Sequence, residues 1–322
     1  MAIAADRART RSRSPPPSGH VSTTEDVAAA HALRRTYVAP RQSKFRVASV
    51  LRFVRPDGTE GKIEAVNAEP HDANIRGAIC AERAALCKFQ QIGAVPGPDC
   101  GSRITRVVCV TDCKDPIFPG PCCREFLTSV CSPDVEVVAS GTDEGISTRP
   151  LSDLLPCPSM YRGLGQDAMK DLGAKLGAAV VAGHGDPLVT TAYKAAVSMA
   201  KQQVKQAVVF PVLFAAAVAF EGGRVHTCAE LKGVEYGCTV DAVSLLLPEM
   251  MRARAAGEAN AICVVQADHF GVAHMPFAAA RSLLIEHGFG EVRLFAHAQD
   301  GTWQGPLSAK ESVPHSDYVT MF

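Results

Sequence analysis

One order of apolar periods occurs twice in this 322-residue chain, and that repetition narrows its possible folds more than any other feature. In the first half, Thr24 stands before Glu25 and Asp26 as a helix N-cap with acids in the first turn, and the helix Val27 to Arg35 follows. Phe45 to Val54 alternates apolar and polar residues as a strand does. Pro56-Asp57-Gly58 turns the chain, and Lys62 to Val66 returns as the second strand of a hairpin. Ile79 to Gln90 has helical period, and Ile104 to Thr111 is a β-branched run expected as a buried strand. Cys123 to Cys131 reads as a helix and Val135 to Ala139 as a strand. From about residue 186 the order recurs. It runs through a helix (Leu188 to Gln203), a long apolar strand (Val208 to Phe220), a Gly222-Gly223 turn and a strand (Arg224 to Leu231). A helix around Val240 to Arg254, a strand (Ala261 to Gln266), a helix (Phe277 to His287) and a strand (Val292 to Ala296) complete it. Helix, strand, strand, helix, strand, helix, strand implies a layered α/β sandwich, here duplicated.

Residues 1–24 lie outside the repeat. Arg7, Arg9, Arg11 and Arg13 precede Pro15-Pro16-Pro17, with little apolar material to bury. That composition fits either a disordered tail or a mitochondrial transit peptide. A formal net charge of zero supplies no basic field for nucleic acid, and one Trp with five Tyr supplies few stacking platforms. The hydrophobic fraction of 47% is enough for real cores, yet no long apolar run is free of charges and breakers, so no membrane span is expected. Twelve Cys without an apolar signal segment point to a reducing compartment, cytoplasmic or, if the tail is a transit peptide, mitochondrial.

The stretch with chemistry runs from Asn67 to Glu82 and continues into Arg83. Cys80 stands two residues before Glu82 at the start of a helical segment, an arrangement that lets a thiolate hold a metal while the carboxylate moves protons. Asn67-x-Glu69 lies upstream, and Pro119-Gly120-Pro121-Cys122-Cys123-Arg124-Glu125 downstream. Together these resemble the cytidine deaminase family, whose pattern runs N-x-E, C-A-E-R, then P-C-x-x-C-R. Leu151-Ser152-Asp153-Leu154-Leu155-Pro156 resembles the segment closing the catalytic domain of its two-domain members, although their Phe-Gly-Pro is replaced here by Ser159-Met160-Tyr161.

The resemblance implies a three-layer α/β/α cytidine-deaminase-like sandwich, duplicated. Residues 25–158 would form the catalytic domain, 159–185 a linker and 186–322 a degenerate second copy. It implies Zn2+ as cofactor and hydrolytic deamination of cytidine or deoxycytidine, in pyrimidine salvage. Glu82 would protonate N3 and pass a proton to the leaving amine, giving uridine and ammonia. Cys80 and Cys123 become metal ligands, and Arg83 a guanidinium that offsets thiolate charge. Asn67 and Glu69 resemble the pair that bonds the ribose 3′-hydroxyl. Phe45 resembles the residue that packs on the pyrimidine, with plain core as its other reading. The backbone N–H of Ala81 could bind the 2-oxo group.

The family's remaining thiol falls on Gly120, which cannot ligate. Three outcomes stay open: Cys122 re-registers into the site, Cys113 swings in, or the site is crippled. In the last case the chain is a nucleoside-binding or scaffold homologue. A nucleic-acid-editing deaminase is a weaker third class. His71 reads as a loop residue, and His269 and His274 as structural. In the second half, Tyr236-Gly237-x-Thr239-Val240 runs into Asp241-Ala242-Val243, and Pro276-Phe277-Ala278-Ala279-Ala280-Arg281 stands where the thiol motif belongs. Neither Val nor Phe does that chemistry, so this half is expected to be structural and to pack on the first. Leu245, Leu246 and Leu247, with the run 208–220, carry more apolar surface than one solvated sheet face needs, so a homodimer is expected.

Overall fold

The computed structural model describes residues 22–70, 77–92, 102–203, 210–233 and 239–316. Helix α1 (Thr23–Thr36) is capped by Ser22, not Thr24. The Glu25 N–H donates to Ser22 Oγ at 3.2 Å, and the Ser22 N–H donates to the Glu25 carboxylate at 2.9 Å. This reciprocal box satisfies two helix-end donors, so the helix gains a turn at its start.

Strands β1 (Val47–Val54) and β2 (Glu60–Val66) form the expected antiparallel hairpin. β1 also pairs antiparallel with β3 (Arg103–Thr111), which runs parallel to β4 (Glu136–Ser140); β5 (Ile146–Pro150) closes the far edge. The sheet order is β2-β1-β3-β4-β5. Helices α2 (Ala81–Gln91) and α3 (Pro121–Thr128) cover one face, where Leu86, Phe89 and Leu127 pack on Leu51, Phe53 and Val107. α1 covers the other, with Val27 and Ala30 on Val50, Val108 and Val110. Alternate residues of β3 thus point to opposite layers, as strand geometry requires.

After a short α4 (Leu151–Leu154), the stretch expected as a linker contains a helix of its own, α5 (Gln166–Ala179). The second half then repeats the first. α6 (Pro187–Gln202), β6 (Phe214–Phe220), β7 (Val225–Ala229), α7 (Ala242–Ala255), β8 (Ala261–Asp268), β9 (Ala273–His274), α8 (Ala278–Glu286), β10 (Arg293–His297) and β11 (Trp303–Ser308) follow in turn. The sheet order β11-β10-β8-β6-β7, read from β7, matches the first sheet, with β9 added against β8. The fold is a duplicated α/β sandwich.

The apolar run of the second half is shorter as a strand than expected, because residues 210–213 precede β6 and 204–209 lie outside the described residues. Its excess apolarity is used internally. Ala216, Val218 and Phe220 pack toward α7, while Ala217 and Ala219 pack toward α6, so every residue of β6 is buried. Leu246 and Leu247 join the α7 core and Leu245 is partly exposed. The described strand of this run thus has both faces covered within the chain. β5 and β11 escape a period-based reading because both are short edge strands, β5 ending at Pro150 and β11 containing Pro306.

The halves meet along α3 and α8. Arg124 donates to the carbonyls of Pro314 (2.5 Å) and His315 (2.7 Å), and Arg281 donates to those of Pro156 and Cys157 (both 2.9 Å). Both arginines are fully buried. Among the described residues no helix is long and apolar enough to cross a membrane.

Candidate active site

Two helix N-termini meet in the first half. Cys80 is the N-cap of α2 with φ −68° and ψ 152°, and its side chain makes no capping bond, which leaves Sγ available to the site. Gly120 is the N-cap of α3, with Pro121 opening the helix. Cys123 then falls in the first turn and points inward, 1% exposed. Adjacent helix residues lie about 100° apart around the axis, so Cys122 is turned outward and exposed. The side-chain donors of Cys80, Glu82 and Cys123 lie within 4.8 Å of one another, a group that can hold a metal ion. Cys122, expected as a re-registered ligand, stands outside it. Cys113 lines the neighbouring cavity but is also outside the group.

The electrostatics follow from the packing. The Cys123 thiol donates toward Cys80 and Arg83 Nη2 lies 3.6 Å from Cys80 Sγ; together they bring the Cys80 pKa down to about 7 against the opposing effect of burial. Cys123, as the donor of that pair, is held well above its ordinary value. Arg83 also donates to the Ala78 carbonyl at 3.1 Å, which fixes the guanidinium beside the thiolate. Burial raises the Glu82 pKa. Glu82 Oε1 accepts from Cys109 Sγ at 3.4 Å, and Oε2 is buried with no hydrogen-bond partner among the described residues.

Cys80, Glu82 and Cys109 line a cavity of about 600 Å³. Phe45, Asn67 and Glu69 line it, with Ile79, Ile117 and Phe118 as apolar wall. Phe45 is half-buried and belongs to none of the core clusters. Asn67 Oδ1 accepts from the Val47 N–H (2.8 Å) and from the Tyr37 hydroxyl, while Nδ2 donates to the Phe45 carbonyl (3.0 Å). The amide therefore ties the end of the β1–β2 hairpin to the end of α1. Glu69 accepts from Ser43 Oγ (2.6 Å) and from the Ser43 N–H (3.0 Å). Ala81 is fully buried at the first position of α2. His71 lies outside the described residues.

Four residues at this site carry no sequence signal. Tyr37, Ser43 and Cys109 act by contacts across the fold. His315, from the second half, sets its ring 5.8 Å from that of Phe118 in the cavity wall.

Two thiols and a carboxylate are acceptable zinc donors, and the unpartnered Oε2 is an orphan that an ion or a ligand would satisfy. Cys80 and Cys123 fit the ion, with Glu82 beside them. Among the described residues no third thiolate joins this group, and the place expected for it is Gly120.

The corresponding region of the second half is filled. Asp241 caps α7 by accepting from Ser244 N at 2.8 Å, and Val243 is buried behind it. Phe277 caps α8 and packs edge-on against Phe214, ring centroids 5.2 Å apart. Tyr161 and residues of α5 cover this cluster, and the Tyr161 hydroxyl donates to Asp268. Asp268 also pairs with His274 Nε2 at 2.9 Å, and His269 Nδ1 accepts from the Leu213 N–H, so both histidines are structural. One trace of the first site persists: Glu230 Oε1 accepts from the Phe214 N–H at 2.7 Å, as Asn67 does from Val47. Among the described residues, the metal-capable group of the first half has no counterpart here.

No protein-family model matches the chain, and no curated protein matches it either. Solved structures do. A cytidine deaminase from Burkholderia pseudomallei is 27% identical over 43% of this chain and 100% of its own, with a TM-score of 0.37. One from Mycobacterium leprae is 28% identical over 42% of this chain and 99% of its own, TM-score 0.32. One from Bacillus anthracis is 15% identical over 42% of this chain and 91% of its own, TM-score 0.27. The chain is thus similar to cytidine deaminases over less than half its length, while nearly the whole of each of those proteins is matched.

Proposed function

We propose that the protein is a zinc-dependent deaminase of cytidine or deoxycytidine, acting in the first half. The observation that carries this reading is Glu82: a buried carboxyl beside two thiols, with Oε2 unpartnered at the edge of a cavity large enough for a nucleoside. Cys80 and Cys123 would hold the ion. When bound, it supplies Lewis acidity that makes a water nucleophilic at neutral pH. Arg83 offsets the thiolate charge that would weaken that acidity.

The chain's own residues do the rest. Glu82 moves the proton through Oε2, and burial raises its pKa, which favours the protonated form that can donate to the ring. It takes the two protons of the attacking water in turn, giving one to N3 of the ring and one to the departing amine, so cytidine and water become uridine and ammonia. Phe45 packs on the pyrimidine, and the Ala81 N–H meets the 2-oxo group. Asn67 and Glu69 meet the ribose 3′-hydroxyl, with Ser43 fixing the Glu69 carboxylate. The second half is a degenerate copy kept for packing, and the chain works as a homodimer, which sedimentation velocity of the full chain tests.

Gly120 favours a second reading, a nucleoside-binding homologue without turnover, since among the described residues the metal-capable group holds two thiols, Cys80 and Cys123. Metal content and uridine production by the purified chain separate the two. About one zinc per chain with uridine formed supports the enzyme; nucleoside binding with neither zinc nor uridine supports the binder.

A further inference from the structure

Cys109 sits at the middle of β3, paired with Ser49 on β1 and Ala139 on β4, so its backbone is fixed from both sides. On this strand the residues at 107 and 109 face the α2 layer while 108 and 110 face α1, which sets the thiol beneath the first turn of α2. There it is 2% exposed, lines the cavity, and reaches Glu82 Oε1 at 3.4 Å. Burial and the adjacent carboxylate keep this thiol protonated, so it is the donor of the pair. Glu82 is 3% exposed, and among the described residues Oε2 has no partner.

A carboxylate on a two-bond stem has several rotamers in an open cavity. One oxygen held from the sheet fixes which oxygen meets the ligand and where. We propose that Cys109 is a positioning residue: its thiol grips Glu82 Oε1 from the central strand so that Oε2 is the oxygen presented to the pyrimidine. The proposal rests on the deaminase reading above. Its cause is local to this chain, since nothing in the Cys80-Ala81-Glu82-Arg83 stretch requires a donor at position 109.

The test compares full-length wild type, Cys109→Ser and Cys109→Ala, each loaded with zinc, on cytidine. Serine keeps a donor in place and should hold kcat within about threefold of wild type. Alanine should lower kcat roughly ten- to a hundredfold with KM changed less than about twofold, as expected when a group acting in the transition state is misplaced. Equal losses in the two variants, a loss confined to KM, or an unchanged kcat in Cys109→Ala would overturn the proposal. An infrared difference spectrum, wild type minus Cys109→Ser, reads the contact without turnover. The Cys109 S–H band should move to the free-thiol frequency when Glu82→Ala is introduced, and a band that stays put also overturns it. If wild type releases no ammonia from cytidine while the band does move, the deaminase reading falls and the positioning role with it, but the hydrogen bond stands.

Discussion

His315, near the end of the second half, lies against Phe118, a wall residue of the first-half cavity, with ring centroids 5.8 Å apart. The carbonyl of the same histidine accepts from Arg124, one residue beyond Cys123. The second half therefore braces both the wall of the cavity and the helix that carries a proposed ligand. A chain ending at Pro158 should be poorly soluble and should make no uridine, although every proposed catalytic residue is present. Soluble, monomeric, fully active 1–158 protein in sedimentation and turnover assays would recast the second half as an independent module.

Glu82→Gln should keep zinc and lose about a hundredfold to ten-thousandfold in turnover, because an amide cannot carry the proton. The same change has a stability consequence in metal-free protein. Burial raises the folded-state pKa of Glu82 above its ordinary 4.5, so the folded state binds the proton more tightly than the unfolded state does. Stability is thus lost as pH rises from about 4.5 through the folded pKa. Glu82→Gln should melt at a higher temperature than wild type at pH 8, with the gap closing toward pH 4.5. A gap independent of pH in calorimetry would show that the carboxyl is not the cause.

The two adjacent thiols of α3 should behave differently. Cys123→Ser should lower zinc content substantially, because Cys123 faces Cys80 and Glu82. Cys122→Ser should bind zinc like wild type, because Cys122 is exposed and stands outside the metal-capable group. Metal analysis after purification without chelators reads both. Equal loss in the two variants would mean that α3 re-registers when the ion binds.

His297 gives a pH dependence of the opposite sign. Its ring is 2% exposed, and Nδ1 accepts from the Ala273 N–H at 2.9 Å. Burial lowers its pKa to about 4. Between about pH 6.5 and pH 4 the unfolded chain binds a proton that the folded chain refuses, so stability falls as pH drops through that window. His297→Gln should flatten that part of the melting-temperature curve; an unchanged slope would assign the acid sensitivity elsewhere.

Much of this was legible in the sequence, for reasons that differ by element. The layered order could be read because β3 and β8 are continuous β-branched or apolar runs and the helices keep a 3.6-residue period. Cys80 and Glu82 could be read because a helix start fixes the relation between residues two apart. The rest depended on geometry that no local pattern encodes. Tyr37 reaches Asn67 only once α1 crosses the sheet, and Cys109 reaches Glu82 only once β3 lies under α2. Whether Cys122 joins Cys123 depends on where α3 begins, and with Gly120 at the cap Cys122 stands outside the metal-capable group. The run 208–220 reads as surplus apolar surface because no local pattern shows that α6 and α7 cover both faces of β6.

The exchanged arginines bear on how the molecule comes apart. Each guanidinium is fully buried and spends its donors on carbonyls of both halves. Separating the halves while each stays folded would strand two desolvated cations and the carbonyls they serve, and each unpaired group costs on the order of 1–3 kcal/mol, more for the charged ones. Neither half can then melt alone at little cost to the other. Two copies of one fold that could have been beads on a string should instead behave as a single thermodynamic unit, giving one heat-absorption peak whose van't Hoff and calorimetric enthalpies agree for the whole chain.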